Sequence, residues 1–353
     1  MTRTANLSRR GFLAASGATV TAVGLGGLLS ACGSDKASAG GGRKITAVLD
    51  VTPYGKHVPF YVGLSRGFWR DRDLDVSFQA GKGSGDAVSK VASGAGQFAL
   101  ADTSVVALAR GNQNQPVMVT CMYHYKNLMS ELTLEGNGIT KPADLVGSTQ
   151  HVTAGEGTFA LLPALAQANG FDSKRVKTTV GEFTQIVPAL LSGQVDGALT
   201  YYTLFPALQA AAEAQGMKAS AFLYADHGID VYNNGIVTTE TFAEKNPEVV
   251  KAFNDGFVEA VQWTAKHPDE ATEIFIKAVA GTNQKTARAQ LQVALDHLNV
   301  AEVQKNGFGP MSLDKMKTTL EMVNEYFDLS KPVTDPTNIF TNEFVTPGKV
   351  PVL

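Results

Sequence analysis

Two cysteines, Cys32 and Cys121, are all that the 353 residues provide, too few for a cysteine-ligated metal cluster. The six histidines (His57, His124, His151, His227, His267 and His297) include no pair at i, i+4 spacing and no H-E-x-x-H, so no zinc site is expected. Neither a G-x-S-x-G nucleophile motif nor a P-loop occurs. Basic clusters are missing too. With 30 Lys and Arg against 33 Asp and Glu, the net charge is -3, which argues against a nucleic-acid partner. Beyond residue 31 no apolar run is long enough to span a bilayer, and no short internal repeat is visible.

What is present begins with the N-terminal segment. Arg3, Arg9 and Arg10 form a positive stretch without an acidic residue, followed by an apolar, Gly- and Ala-rich run from Gly11 to Leu29. Small residues then precede Cys32. These are the three parts of a secretory signal. Ser8-Arg9-Arg10-Gly11-Phe12-Leu13 resembles the twin-arginine consensus, which is an export address and not an anchor. Leu29-Ser30-Ala31-Cys32 resembles a lipobox. The two resemblances imply that residues 1–31 are a removed signal peptide and that Cys32 becomes the lipid-bearing first residue. The protein would then be exported and lipid-anchored at the outer face of the cell membrane. A plain membrane helix fits less well, because Gly11, Gly17, Gly24, Gly26 and Gly27 make a poor helix of a run already at the short end for crossing a bilayer. Residues 32–43, mostly Gly, Ala and Ser, read as a flexible tether. Losing the three signal arginines leaves 27 basic against 33 acidic residues, a net charge of about -6. Cys121 then has no intrachain partner, and its apolar run Pro116–Met122 reads as core.

From Lys44 onward strands and helices alternate. Strands are expected over Ile45–Val51, Leu74–Phe78, Gln97–Ala101 and Pro116–Met122, with helices over Pro59–Phe68, Asp86–Ala95 and Val105–Arg110. The pattern restarts with strands at Gly147–Val152, Val176–Val180 and Gly197–Thr200. Helices are expected at Thr158–Ala168, Phe183–Ser192 and Leu204–Ala214, and Ala219–Tyr224 closes the block. Gly235–Thr239 reads as a return strand. Helices follow over Pro247–Lys266, Pro268–Val279, Lys285–Leu298 and Ser312–Phe327, and these read as packing helices without chemistry. Strand–helix alternation implies mainly parallel sheets covered on both faces. Two blocks imply two lobes, with crossings near Ser130–Glu135 and Asn233–Val237, and a cleft between lobes is a preferred place for a small ligand.

At this point four stretches resemble the solute-binding proteins of ABC importers for nitrate, alkanesulfonates, taurine and thiamine pyrimidine precursors. They are Leu49–Gly63, Gly67-Phe68-Trp69 with Asp73–Val76, Ala92–Ala99, and Leu190–Ala198. The first is similar to the opening of the thiamine-pyrimidine-precursor branch, and the last to the family's second-lobe signature. The resemblance implies an α/β, type II periplasmic-binding-protein fold, with two α/β lobes joined by a hinge and a ligand cleft between them. The expected division is a signal at 1–31, a tether at 32–43, one lobe from 44–132 plus 236–353, and the other from 133–235. The implied function is capture of a small planar or heteroaromatic solute and its delivery to a membrane permease. The implied partners are the solute, the ABC permease and its ATPase, and the membrane through the lipid anchor; a monomer is expected. No cofactor, metal or catalytic residue is expected. A sulfonate, taurine, nitrate or aromatic carboxylate is the alternative solute. From other classes, a pyrimidine-synthase-like enzyme or a ligand sensor is the alternative.

Ligands of open α/β sheets bind beyond the carboxyl ends of the strands, and the candidates follow that rule. Asp50, Tyr54, His57 and Phe60 follow the first strand, where a ring can stack on a heterocycle and Asp50 can accept from an amino group. Ser84, within Gly83-Ser84-Gly85-Asp86, opens a helix, as do Asp102 and Thr103. Glu156 and Thr158 open a helix of the second block, and Glu156 would disfavour an anion. Tyr201 and Tyr202 follow the next strand, and a branch acid expected slightly later is replaced by Thr203-Leu204-Phe205. Tyr232 lies at the return crossing beside Asn233 and Asn234.

Overall fold

Ten strands form two five-stranded sheets in the computed structural model, which describes residues 42–351. The signal at 1–31, the lipid site Cys32 and all of the tether before residue 42 lie outside the described residues. The first sheet has the order β2-β1-β3-β10-β4, from β1 (Arg43–Leu49), β2 (Leu74–Ala80), β3 (Phe98–Asp102), β4 (Val117–Met122) and β10 (Asn234–Thr239). The second has the order β7-β6-β8-β5-β9, from β5 (Met129–Leu134), β6 (Thr149–Thr153), β7 (Lys177–Gly181), β8 (Gly197–Tyr201) and β9 (Ala219–Leu223). β1 pairs in parallel with β2 and β3, and β6 in parallel with β7 and β8. One antiparallel strand sits fourth in each sheet: β10 between β3 and β4, and β5 between β8 and β9.

Burial explains the strand sequences. β3, Phe-Ala-Leu-Ala-Asp, is buried throughout and apolar up to its last residue, as a strand covered on both faces must be. β7 lies at an edge, and Lys-Thr-Thr-Val there is exposed, which blunts that edge. The segment read as a crossing near Ser130–Glu135 is largely β5. Its Met-Ser-Glu-Leu-Thr-Leu is buried at every position, so polar residues inside it hid a strand. The chain crosses earlier, over 123–128, and returns over 224–233. These two connections bond to each other: Asn127 Nδ2 donates to the Ile229 carbonyl (2.7 Å), and the Asn233 N–H to the His124 carbonyl (3.2 Å).

The expected helix at Thr158–Ala168 is two helices, Gly157–Ala160 and Leu162–Ala168. Pro163 has no N–H to give and its ring crowds the preceding turn, so the helix restarts there. Helix Pro247–Lys266 buries Val250, Phe253, Phe257 and Val261 on one face. The helices after it do more than pack. Gln290, on helix Gln284–Asp296, accepts the Gly55 N–H through Oε1 at 3.0 Å and so holds the loop that follows β1.

Candidate functional site

Asp50, one residue beyond β1, is the centre of a buried polar layer. Its carboxylate accepts from the Val51 N–H (3.0 Å), His57 Nε2 (2.8 Å) and Lys56 Nζ (2.5 Å). The Tyr54 N–H donates to His57 Nδ1 at 3.1 Å, so the ring's proton is on Nε2, pointing at Asp50. Burial alone would raise the Asp50 carboxyl; the Lys56 ammonium and His57 outweigh it and hold the group below the usual carboxylate range. Burial likewise opposes the Lys56 charge, and Asp50 more than restores it. Burial pushes His57 below its ordinary value, so it is a neutral donor. Lys56 Nζ also donates to Asn234 Oδ1 (3.1 Å) and lies 4.7 Å from the centre of the Tyr201 ring, a cation–π contact.

Asp102, the last residue of β3, is the second buried acid. Oδ1 accepts from Asn233 Nδ2 (2.8 Å) and Asn234 Nδ2 (3.2 Å), and Oδ2 accepts from the Tyr201 hydroxyl and from Ser84 Oγ (3.4 Å). Burial pushes its carboxyl up to about 6 despite the Tyr201 bond and the nearby Lys56. Tyr201 ends β8 of the other sheet, so this bond joins the two halves of the molecule. A second such bond pairs the Tyr54 hydroxyl with Thr203 Oγ1 at 2.6 Å. Burial raises the Tyr54 phenol to about 12, and its ring lies 5.3 Å from that of Phe183.

Glu156 completes the layer from the second sheet's side. It is buried, and neither carboxyl oxygen has a protein partner. Burial pushes its carboxyl well above the ordinary range, and Asp50 and Asp102 push it further, against the opposing Lys56. Ser104 Oγ, Thr158 Oγ1 and Asn233 Oδ1 are also buried without a partner. A Cβ on Gly157 would stand 2.7 Å from Ser104 Oγ and 3.3 Å from Asp102 Oδ2, so those two groups face the same point beside the Glu156 loop. The Gly85 N–H donates to the Gly155 carbonyl (3.1 Å), closing the seam between the glycine loop and the Glu156 loop. That N–H at the helix start is therefore occupied, as is the Ser84 hydroxyl.

The structure thus brings together Asp50, Tyr54, His57, Ser84, Asp102, Glu156 and Tyr201, and buries Thr158 on the helix that starts at Gly157. It places the other candidates elsewhere. Phe60 is core, stacked on Phe257 at 4.6 Å. Thr103 binds the return crossing, its Oγ1 donating to the Asn233 carbonyl at 2.9 Å. Tyr202 is half-buried and stacks on Phe205 at 5.3 Å. The Tyr232 hydroxyl pairs with Glu302 and accepts the Ser312 N–H (2.6 Å), two residues that take no part in the polar layer. Sequence reasoning missed Lys56. Part of the signal was available: a buried aspartate needs a counter-charge, and Lys44 and Lys56, each six residues away, are the nearest lysines along the chain. Among the described residues, no group of three or more His, Cys, Asp or Glu is arranged to hold a metal ion.

A protein-family model described as NMT1/THI5 like matches residues 55–271. The chain is 26% identical over 286 residues to the formylaminopyrimidine-binding protein of Halalkalibacterium halodurans, covering 79% of this chain and 83% of that protein. It is 26% identical over 318 residues to the riboflavin-binding protein RibY of Chloroflexus aurantiacus, covering 87% of each. Among solved structures it is similar to the alkanesulfonate-binding protein SsuA of Xanthomonas axonopodis pv. citri, with a TM-score of 0.66, 12% identity, and coverage of 86% of this chain and 100% of that one. A Candida albicans protein with the generic periplasmic binding protein fold gives a TM-score of 0.59 at 18% identity, covering 88% and 98%. Likeness at these identities establishes the fold, a periplasmic-binding-protein fold of two α/β halves.

Proposed function

We infer function from one premise: the chain belongs to the NMT1/THI5-like family. We propose that it is the extracytoplasmic solute-binding component of an ABC importer, and that its solute is small, planar, heteroaromatic, and neutral or cationic. One observation carries the choice of solute. Lys56, the cation of the polar layer, is spent on Asp50, while Asp102 and Glu156 add two further carboxyl groups to the same space. A sulfonate or nitrate entering there would meet acids and, among the described residues of the layer, no free cation. The named ligands of the two relatives, a formylaminopyrimidine and riboflavin, are heterocycles of the kind such a layer suits.

In this reading the halves are lobes built on the two sheets, one from residues 42–122 plus 234–351 and the other from 129–223, so the boundaries expected at 132 and 235 shift to the paired connections at 123–128 and 224–233, about which the lobes rotate. The N-terminal signal and Cys32 belong to the same proposal: twin-arginine export, then a lipid anchor that keeps a monomeric binding protein beside its permease and ATPase. The reading is of binding and presentation, with no bond broken, and a sensor role would use the same closure. A thermal-shift panel tests it, with thiamine pyrimidine precursors, riboflavin, aromatic carboxylates, taurine, alkanesulfonates and nitrate. Stabilisation by a heterocycle is expected; stabilisation by sulfonates, taurine or nitrate alone overturns the choice of solute.

A further inference from the structure

Glu156 differs from the other acids of the layer in having nothing to do. Asp50 accepts from three protein donors and Asp102 from four side chains. Both oxygens of Glu156 are equally buried and meet no donor or acceptor of the protein. Native structures rarely leave buried polar atoms idle, so such a group points to a partner that arrives from outside. The neighbours limit what that partner is. Asp50, Asp102 and Lys56 all act on the Glu156 charge, and Tyr54 and Tyr201 stand close enough to feel it.

We propose that Glu156 is the specificity-determining residue of the cleft, pairing through both carboxyl oxygens with a ligand edge that sets a lone pair beside an N–H, as in a cyclic amidine or a lactam. This rests on the solute-binding reading above and adds the contact that selects the solute. Burial beside two acids favours the protonated form of Glu156 against the opposing Lys56, and that form offers one O–H donor and one carbonyl acceptor side by side. The complementary edge is an acceptor next to a donor, and two parallel hydrogen bonds fix its orientation. Ser104 Oγ, buried without a partner and facing Asp102 beside Gly157, is available to the rest of the ligand. Asp50, the acid first expected to receive an amino group, is already filled.

The test is calorimetry on the full chain with four probes. 4-Aminopyrimidine has the complete edge, pyrimidine the lone pair only, aniline the N–H only, and methanesulfonate is an anion with acceptor oxygens and no N–H. The wild type should bind 4-aminopyrimidine at least about tenfold more tightly than pyrimidine or aniline. Glu156→Gln keeps a donor and an acceptor side by side and should preserve that preference within about threefold. Glu156→Ala and the near-isosteric Glu156→Met should abolish it, and the Met variant guards against collapse of the site. A preference that survives in either folded variant overturns the role of Glu156. Binding of methanesulfonate in place of all three rings would instead overturn the solute reading itself.

Discussion

The hydroxyl of Tyr201, at the end of β8, donates to the carboxylate of Asp102, at the end of β3, a buried bond that ties the carboxyl ends of the two sheets directly. A hydrogen bond to a charged group is worth about 1.5–3 kcal/mol when both partners are buried. Tyr201→Phe keeps the ring over Lys56 and removes only that bond. Solute affinity should fall about tenfold, with the ligand-free protein shifted towards a more open form. Calorimetry and small-angle scattering check the two halves of this expectation; unchanged affinity would mean that the bond plays no part in closure.

Lys56→Met should be strongly destabilising, because it strands Asp50 in the interior without its ammonium. Breaking one partner of a buried pair costs about 3–5 kcal/mol, readable as a lowered urea midpoint. The sign of the pH dependence follows from the depressed Asp50 carboxyl. Its contribution is complete above the unfolded value of about 4 and is lost as pH falls towards the folded value. The acid limb of the wild-type stability curve should therefore flatten in Lys56→Met.

Asp102 has the opposite sign. Its folded value of about 6 lies above the unfolded value near 3.8. The unfolded chain therefore releases the proton first, and stability declines as pH rises between those two values. The full loss is about 3 kcal/mol, taking 1.36 kcal/mol per unit. Asp102→Asn should remove that decline, so urea unfolding of the wild type and the variant at pH 4, 5, 6 and 7 should diverge. Parallel curves would mean that Asp102 does not titrate in this range.

Gly83 lies in the glycine loop with φ of 123°, a conformation that side chains rarely adopt, and a Cβ there would meet the Ala154 carbonyl oxygen at 2.8 Å. Gly83→Ala should therefore prop the seam beside Glu156 open and add backbone strain of about 1–3 kcal/mol. We expect a folded protein, by circular dichroism, that binds solute at least tenfold more weakly. Wild-type affinity would show that the seam need not close.

The strands were legible because alternation and β-branched runs mark them, and helix Pro247–Lys266 because its apolar residues recur at helical spacing. β5 was not, since Ser130, Glu131 and Thr133 break the apolar pattern although all three are buried. At the site, proximity to strand ends found Asp50, Asp102, Glu156 and Tyr201. The same rule picked Tyr232, which a distant contact with Glu302 draws away, and no local pattern encodes a partner 70 residues off. Phe60 failed for the complementary reason: one face of its helix packs on Phe257, and the sequence does not say which face.

The placement of the two antiparallel strands also sets an order of assembly. All five strands of the second sheet come from one continuous stretch, Met129–Leu223, whereas β4 gains its sheet neighbour β10 only when Asn234–Thr239 arrives. The half that starts first during synthesis is therefore completed last, waiting on a segment more than a hundred residues downstream. A fragment cut to residues 129–223 keeps a whole sheet; one cut to 42–122 leaves β4 unpaired.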